Sequence, residues 1–118
     1  MKKYITVLGI CVAILLNACS KGNSGSSPTT TDPCNGLFFK FSTDVQPIFN
    51  TTCANSSNCH GAGSANSGGP LTDYNQIFAK RAEIKFQVSG GFMPKAGSIT
   101  ADQKNKIICW INSGAPNN

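Results

Sequence analysis

Between Asn55 and Pro70 the chain is Gly, Ser and Asn with almost nothing large and apolar. A stretch like that has no face to bury, so it has to be loop. A second loop, residues 92–99, carries Pro94 and Gly97. The part of the 118-residue chain able to fold begins near Pro33 and is about 85 residues long. A domain of that size has a marginal core and usually relies on covalent staples or a bound group. Unstructured loops this long in so small a domain are usually functional.

Helical patterns fill the rest. Ser42 or Thr43 can cap a helix starting at Asp44 or Val45 and running into Cys53. Pro47 falls in its first turn, and Val45, Ile48 and Phe49 give it one apolar face. Thr72 is the expected N-cap of a second helix from Asp73 to about Val88, with a stripe of Tyr74, Ile77, Phe78, Arg81 and Ile84. Gly90-Gly91 ends it. Thr100 with Gln103 forms a capping-box pattern for a third helix, Ala101 to about Asn112, presenting Ile107, Ile108 and Ile111 beside Trp110. Gly114 and Pro116 stop it.

The N-terminus reads as an export signal. Lys2 and Lys3 precede an apolar run, Tyr4 to Leu16, that is short for a membrane span. It ends in Leu16-Asn17-Ala18-Cys19, which resembles the lipobox of bacterial lipoproteins. That resemblance implies a signal peptide over 1–18, a lipid on Cys19 and attachment to a bacterial membrane, by default facing the periplasm. The competing reading is an ordinary secretory signal or an uncleaved anchor. A Ser/Gly/Thr tether follows over 19–33, with the domain proper at 34–118. The signal carries two of the ten positive charges, leaving eight against five acidic residues, or +3. That balance lacks the dense Lys/Arg stripe of a nucleic-acid binder.

The chemistry is concentrated in few residues. Cys53-Ala-Asn-Ser-Ser-Asn-Cys59-His60-Gly61 contains the only His, and Met93 in Gly90-Gly91-Phe92-Met93-Pro94 is the only Met besides Met1. Cys…Cys-His followed by a lone Met-Pro reads as covalently attached haem with His and Met on the iron. Taken with Val45-Gln-Pro-Ile-Phe49, Gly69-Pro70-Leu71 and Trp110-Ile111…Gly114-Ala115, the pattern resembles small class I cytochromes c, in particular the cytochrome c-like domains of bacterial lipoproteins. The resemblance covers residues 43–115.

It implies an all-α, small cytochrome c-like fold of about three helices around one covalent haem c, with long loops. Cys53 and Cys59 would form the thioethers, with His60 and Met93 as iron ligands. The Pro70 carbonyl would accept the His60 ring N–H. The last helix would cross the first near its start. The implied function is single-electron transfer between redox partners, without catalysis; Arg81, Lys85 and other cations would steer acidic partners, although for most of them an ordinary solvated face is the competing and simpler reading.

One feature departs from the family. Its usual motif has two residues between the cysteines, whereas five intervene here. On a continuous helix, six positions would set Cys53 and Cys59 roughly 120° apart. The motif works if the chain bulges between them, which Asn and Ser favour.

Other readings of the same residues stay open. Cys53 and Cys59 can form a disulfide, with Cys34 pairing Cys109, in a haem-free stapled domain. A zinc site would need Cys53, Cys59, His60 and a further Cys. A haem enzyme or sensor would need an open iron position. Met before Pro often only fills a gap under a loop. Independently of the haem motif, Cys34 and Cys109 flank the domain, and a staple between them would fasten its N-terminal arm to the last helix; two free buried thiols are the competing reading.

Overall fold

The computed structural model describes residues 32–118, within a compact unit of Thr31–Asn118. The proposed signal peptide, Cys19 and most of the tether lie outside the described residues. Those described are helical, with no strand among them. None of these helices is long and apolar enough to cross a membrane.

Helix α1 consists of three successive segments, Phe41–Val45, Gln46–Ile48 and Phe49–Cys53. Its first and last segments are widened, with Gln46 N–H bonding to the Phe41 carbonyl and Ala54 N–H to that of Phe49. The wide turn before Pro47 gives its ring room where a regular turn would crowd the carbonyl four residues back. Helix α1 starts earlier than the expected Asp44 or Val45, and neither Ser42 nor Thr43 caps it. Instead, the Lys40 N–H donates to Asp44 Oδ2 at 2.8 Å. Asn118 satisfies the next two donors: its Oδ1 accepts from Phe41 N–H and its backbone oxygen from Ser42 N–H, at 2.8 and 2.9 Å. The end of the chain thus caps the first helix.

The expected second helix is two, α2 (Tyr74–Ala79) and α3 (Arg81–Ser89). Asp73, not Thr72, is the N-cap, accepting from Gln76 N–H, while Thr72 donates through both N–H and Oγ1 to Gln76 Oε1. The helix tightens at Lys80, whose N–H bonds three residues back to Ile77. Arg81 then donates to the Phe78 carbonyl at 2.8 Å and lies over the Phe78 ring, 4.0 Å from its centroid. This explains a cation in an otherwise apolar stripe. Helix α4 (Ala101–Asn112) has the expected bounds, with the Thr100–Gln103 capping box formed in both directions.

The core joins Phe41, Val45, Ile48 and Phe49 of α1 to Ile77, Ile84 and Val88 of α2 and α3 and to Ile107 and Trp110 of α4. Trp110 is fully buried, and its indole N–H reaches the Pro116 carbonyl. Its ring lies 5.4 Å from Phe41, which meets the edge of Tyr74 at 5.1 Å. Tyr74 O–H donates to the Ala115 carbonyl. The last helix therefore packs on the start of the first, as the family resemblance implies. Cys34 and Cys109 form a disulfide with Cα atoms 5.1 Å apart, pinning the N-terminal arm to α4.

The bridge closes a sequence separation of 75 residues. By loop-closure entropy, replacing both cysteines by Ala lowers unfolding free energy by about 4 kcal/mol. Urea denaturation of the two proteins measures the difference.

Candidate functional site

Helix α1 delivers Cys53 as its last residue. Ala54, at φ −108° and ψ 23°, turns the chain out of the helix. Residues 55–58 then form an exposed excursion. Within it, Cys59 N–H and Gly61 N–H both bond to the Ser56 carbonyl, at 3.1 and 2.8 Å. The chain re-enters at His60, whose N–H donates to the Cys53 carbonyl at 2.9 Å.

That last contact bears on the spacing of the two cysteines. In a helical Cys-x-x-Cys-His segment the His stands four residues after the first Cys, so its N–H would bond to that Cys carbonyl by the ordinary helical pattern. The same two groups are bonded here, with the extra residues extruded as a turn. The angular separation along a continuous helix does not apply, because the helix ends between the two cysteines.

Gly61 lies against this turn. A Cβ there would come within 2.6 Å of the Ser56 carbonyl oxygen, so only glycine permits the approach. Ser64, the buried polar residue of the loop, donates to the Cys59 carbonyl at 2.5 Å. Asn66 spends both side-chain N–H groups here, on the Asn58 carbonyl at 2.6 Å and on that of Cys59 at 2.8 Å.

Cys53 and Cys59 are both half-buried free thiols. Burial pushes the Cys53 thiol up to about 11, with a smaller contribution from neighbouring Cys59. Burial thus disfavours the Cys53 thiolate.

The His60 ring is fixed on one side. Its Nδ1 is 2.9 Å from the Gly69 carbonyl oxygen, which can only accept, so Nδ1 carries the hydrogen and Nε2 of the neutral ring keeps its lone pair. The acceptor is Gly69, one residue before the expected Pro70; Pro70 follows it, half-buried. The shift arises because Leu71 N–H bonds to the His60 carbonyl at 2.7 Å, setting the two segments in register. Gly68 presses on the imidazole: a Cβ there would stand 2.9 Å from Cε1 and 3.3 Å from Nδ1.

Met93 belongs to a separate segment. It is half-buried beyond α3, where Phe92 N–H and Met93 N–H both bond to the Gln87 carbonyl, at 2.9 and 3.2 Å. The structure thus gathers Cys53, Cys59 and His60 on one turn with Gly69-Pro70 behind them, and hangs Met93 from α3. Among the described residues, no three His, Cys, Asp or Glu side chains converge as a metal-binding group. The disulfide also uses both further cysteines among the described residues that could have completed a zinc site.

No protein-family model, curated protein or solved structure matches the chain.

Two outcomes follow. With Cys53 raised from 9.0 to about 11, alkylation of Cys53 at pH 8 should be slower in the folded, haem-free protein than in urea, by one to two orders of magnitude. Peptide mass mapping reads this rate. Because folding raises this thiol's pKa, its contribution to stability is intact below pH 9 and is lost as pH rises through about 11. Gly68→Ala forces the imidazole off the Gly69 carbonyl, lowering stability by about 1–3 kcal/mol. The His60 ring nitrogen shifts at neutral pH should then lose the signature of a single Nδ1–H tautomer.

Proposed function

We propose that this chain is an exported, lipid-anchored c-type cytochrome with one covalent haem, carrying single electrons between redox proteins in a small cytochrome c-like fold. The observation that carries the reading is the His60 N–H to Cys53 carbonyl bond, which reproduces across a five-residue spacing the contact expected of the shorter motif. A haem attached in this way requires two reduced thiols on one turn and an imidazole with an open Nε2. Cys53 and Cys59 are free, and the Gly69 carbonyl leaves Nε2 of His60 available.

Bound haem supplies a one-electron Fe(III)/Fe(II) couple. The residues' part is to hold it. Cys53 and Cys59 fix its periphery, while His60, oriented by Gly69 and pressed by Gly68, presents Nε2 in a set direction. Met93, on the segment after α3, would offer a softer donor, and a thioether ligand raises the potential relative to a second imidazole. Lys80, Lys85 and Lys95 are exposed and suit acidic redox partners, where charge complementarity chiefly speeds encounter. Cys19 would hold the domain at the membrane through its lipid, on the tether of 19–33.

The stapled, haem-free alternative calls for two disulfides. One of them, Cys34–Cys109, is present, while Cys53 and Cys59 remain thiols.

Co-expression with a cytochrome c maturation system, followed by intact mass and a pyridine haemochrome spectrum, tests the reading. A haem bound through two thioethers is the expected result, and a colourless protein overturns it. In the haem-loaded protein, Met93→Ala should abolish the weak sulfur-to-iron band and lower the potential. An unchanged spectrum and potential would remove Met93 from the iron.

A further inference from the structure

The extruded turn between the cysteines is held by residues outside the motif. The Cys59 carbonyl accepts two hydrogen bonds, from Ser64 Oγ at 2.5 Å and Asn66 Nδ2 at 2.8 Å. The other Asn66 N–H reaches the Asn58 carbonyl at 2.6 Å, inside the extrusion. Asn66 is fixed in turn by its own N–H, 3.3 Å from Ser64 Oγ. A helical Cys-x-x-Cys-His turn would need no such support, because its peptide groups bond to one another. Here Ala54 breaks the helix, so the peptides of residues 58 and 59 look elsewhere for partners.

We propose that Asn66 is a positioning residue for the second attachment cysteine: with Ser64 it clasps the extruded turn, so that Cys59 and His60 return to the end of α1 despite the five-residue spacing. The thioether part of this inference rests on the haem reading above; the clasp itself does not. Attachment adds the Cys59 S–H across a vinyl double bond, sulfur to one carbon and hydrogen to the other, with no net oxidation. That addition needs the sulfur held at one position, and a carbonyl anchored from two sides restricts the neighbouring side chain.

A deletion separates the clasp from general folding. Removing Asn55, Ser56 and Ser57 leaves Cys53-Ala54-Asn58-Cys59-His60, the two-residue spacing, in which helical bonds can replace those of Asn66. Asn66 is exposed, so Asn66→Ala removes its donors without opening the core. Four full-length proteins are compared: the natural chain, Asn66→Ala, the deletion, and the deletion with Asn66→Ala.

In the haem-free proteins, hydrogen exchange at the His60 amide reports the bond to Cys53. Its protection should fall about tenfold on Asn66→Ala in the natural spacing, the scale of losing one to two hydrogen bonds. It should stay within about twofold in the deletion background. In the haem-loaded proteins, fragment masses count thioethers. Asn66→Ala should shift the natural chain towards a single bond at Cys53, and both deletion proteins should keep two. Unchanged protection on Asn66→Ala, or an equal loss in both spacings, overturns the clasp. If no protein takes up haem, the haem reading fails while the amide exchange still decides the clasp.

Discussion

The bond between the His60 N–H and the Cys53 carbonyl organises one side of this domain, because everything nearby is arranged around the return of the chain to that point. It closes the excursion of residues 54–59 onto the end of α1. It sets His60 where its carbonyl can receive Leu71 N–H and its ring can reach the Gly69 carbonyl. Leu71 is then buried in the same core as Phe49. A loop with almost no apolar surface of its own thereby gains a defined path. It is attached to a packed helix at one end and a buried leucine at the other.

Elsewhere the core is built on large aromatic rings. Trp110, Phe41 and Tyr74 form an aromatic contact at the crossing of the first and last helices. Trp110 and Tyr74 each place their polar atom on a carbonyl of the closing segment, Pro116 and Ala115 respectively. Burying these rings costs no unsatisfied donor as a result. The same closing segment continues to Asn118, which satisfies the first turn of α1. Two helices far apart in sequence thus share one set of backbone contacts.

How far such an arrangement can be read from residues alone depends on the range of the interaction. Helix α4 was legible because its signals, Thr100 with Gln103 and the stop at Gly114, act within a few residues. The Cys34–Cys109 pair also follows the expectation from their places at the two ends of the domain. The start of α1 was misplaced because its acceptors sit on Asn118, across the fold. The break at Lys80 was missed because a periodic stripe continues through it, and only the Arg81 contact with Phe78 marks it. Of the candidate residues, Cys53, Cys59, His60 and Met93 stood out by rarity. Ser64, Asn66, Gly61 and Gly68 did not, since one Ser, Asn or Gly in a polar loop looks like the next until its partners are known. The polar composition nonetheless carried a usable signal, because Asn and Ser are suited to capturing stray peptide groups.

The staple between Cys34 and Cys109 also determines how the domain bears tension. Any pull arriving along the chain from its N-terminal side enters at Cys34 and crosses a covalent bond into α4, next to Trp110. Residues 35–108 form a closed ring that such a pull does not unravel from its end, and Cys53, Cys59, His60 and Met93 all lie within that ring. A load entering at Cys34 would pass into the helix that carries the buried Ile107 and Trp110 and would bypass the loops that carry the candidate residues.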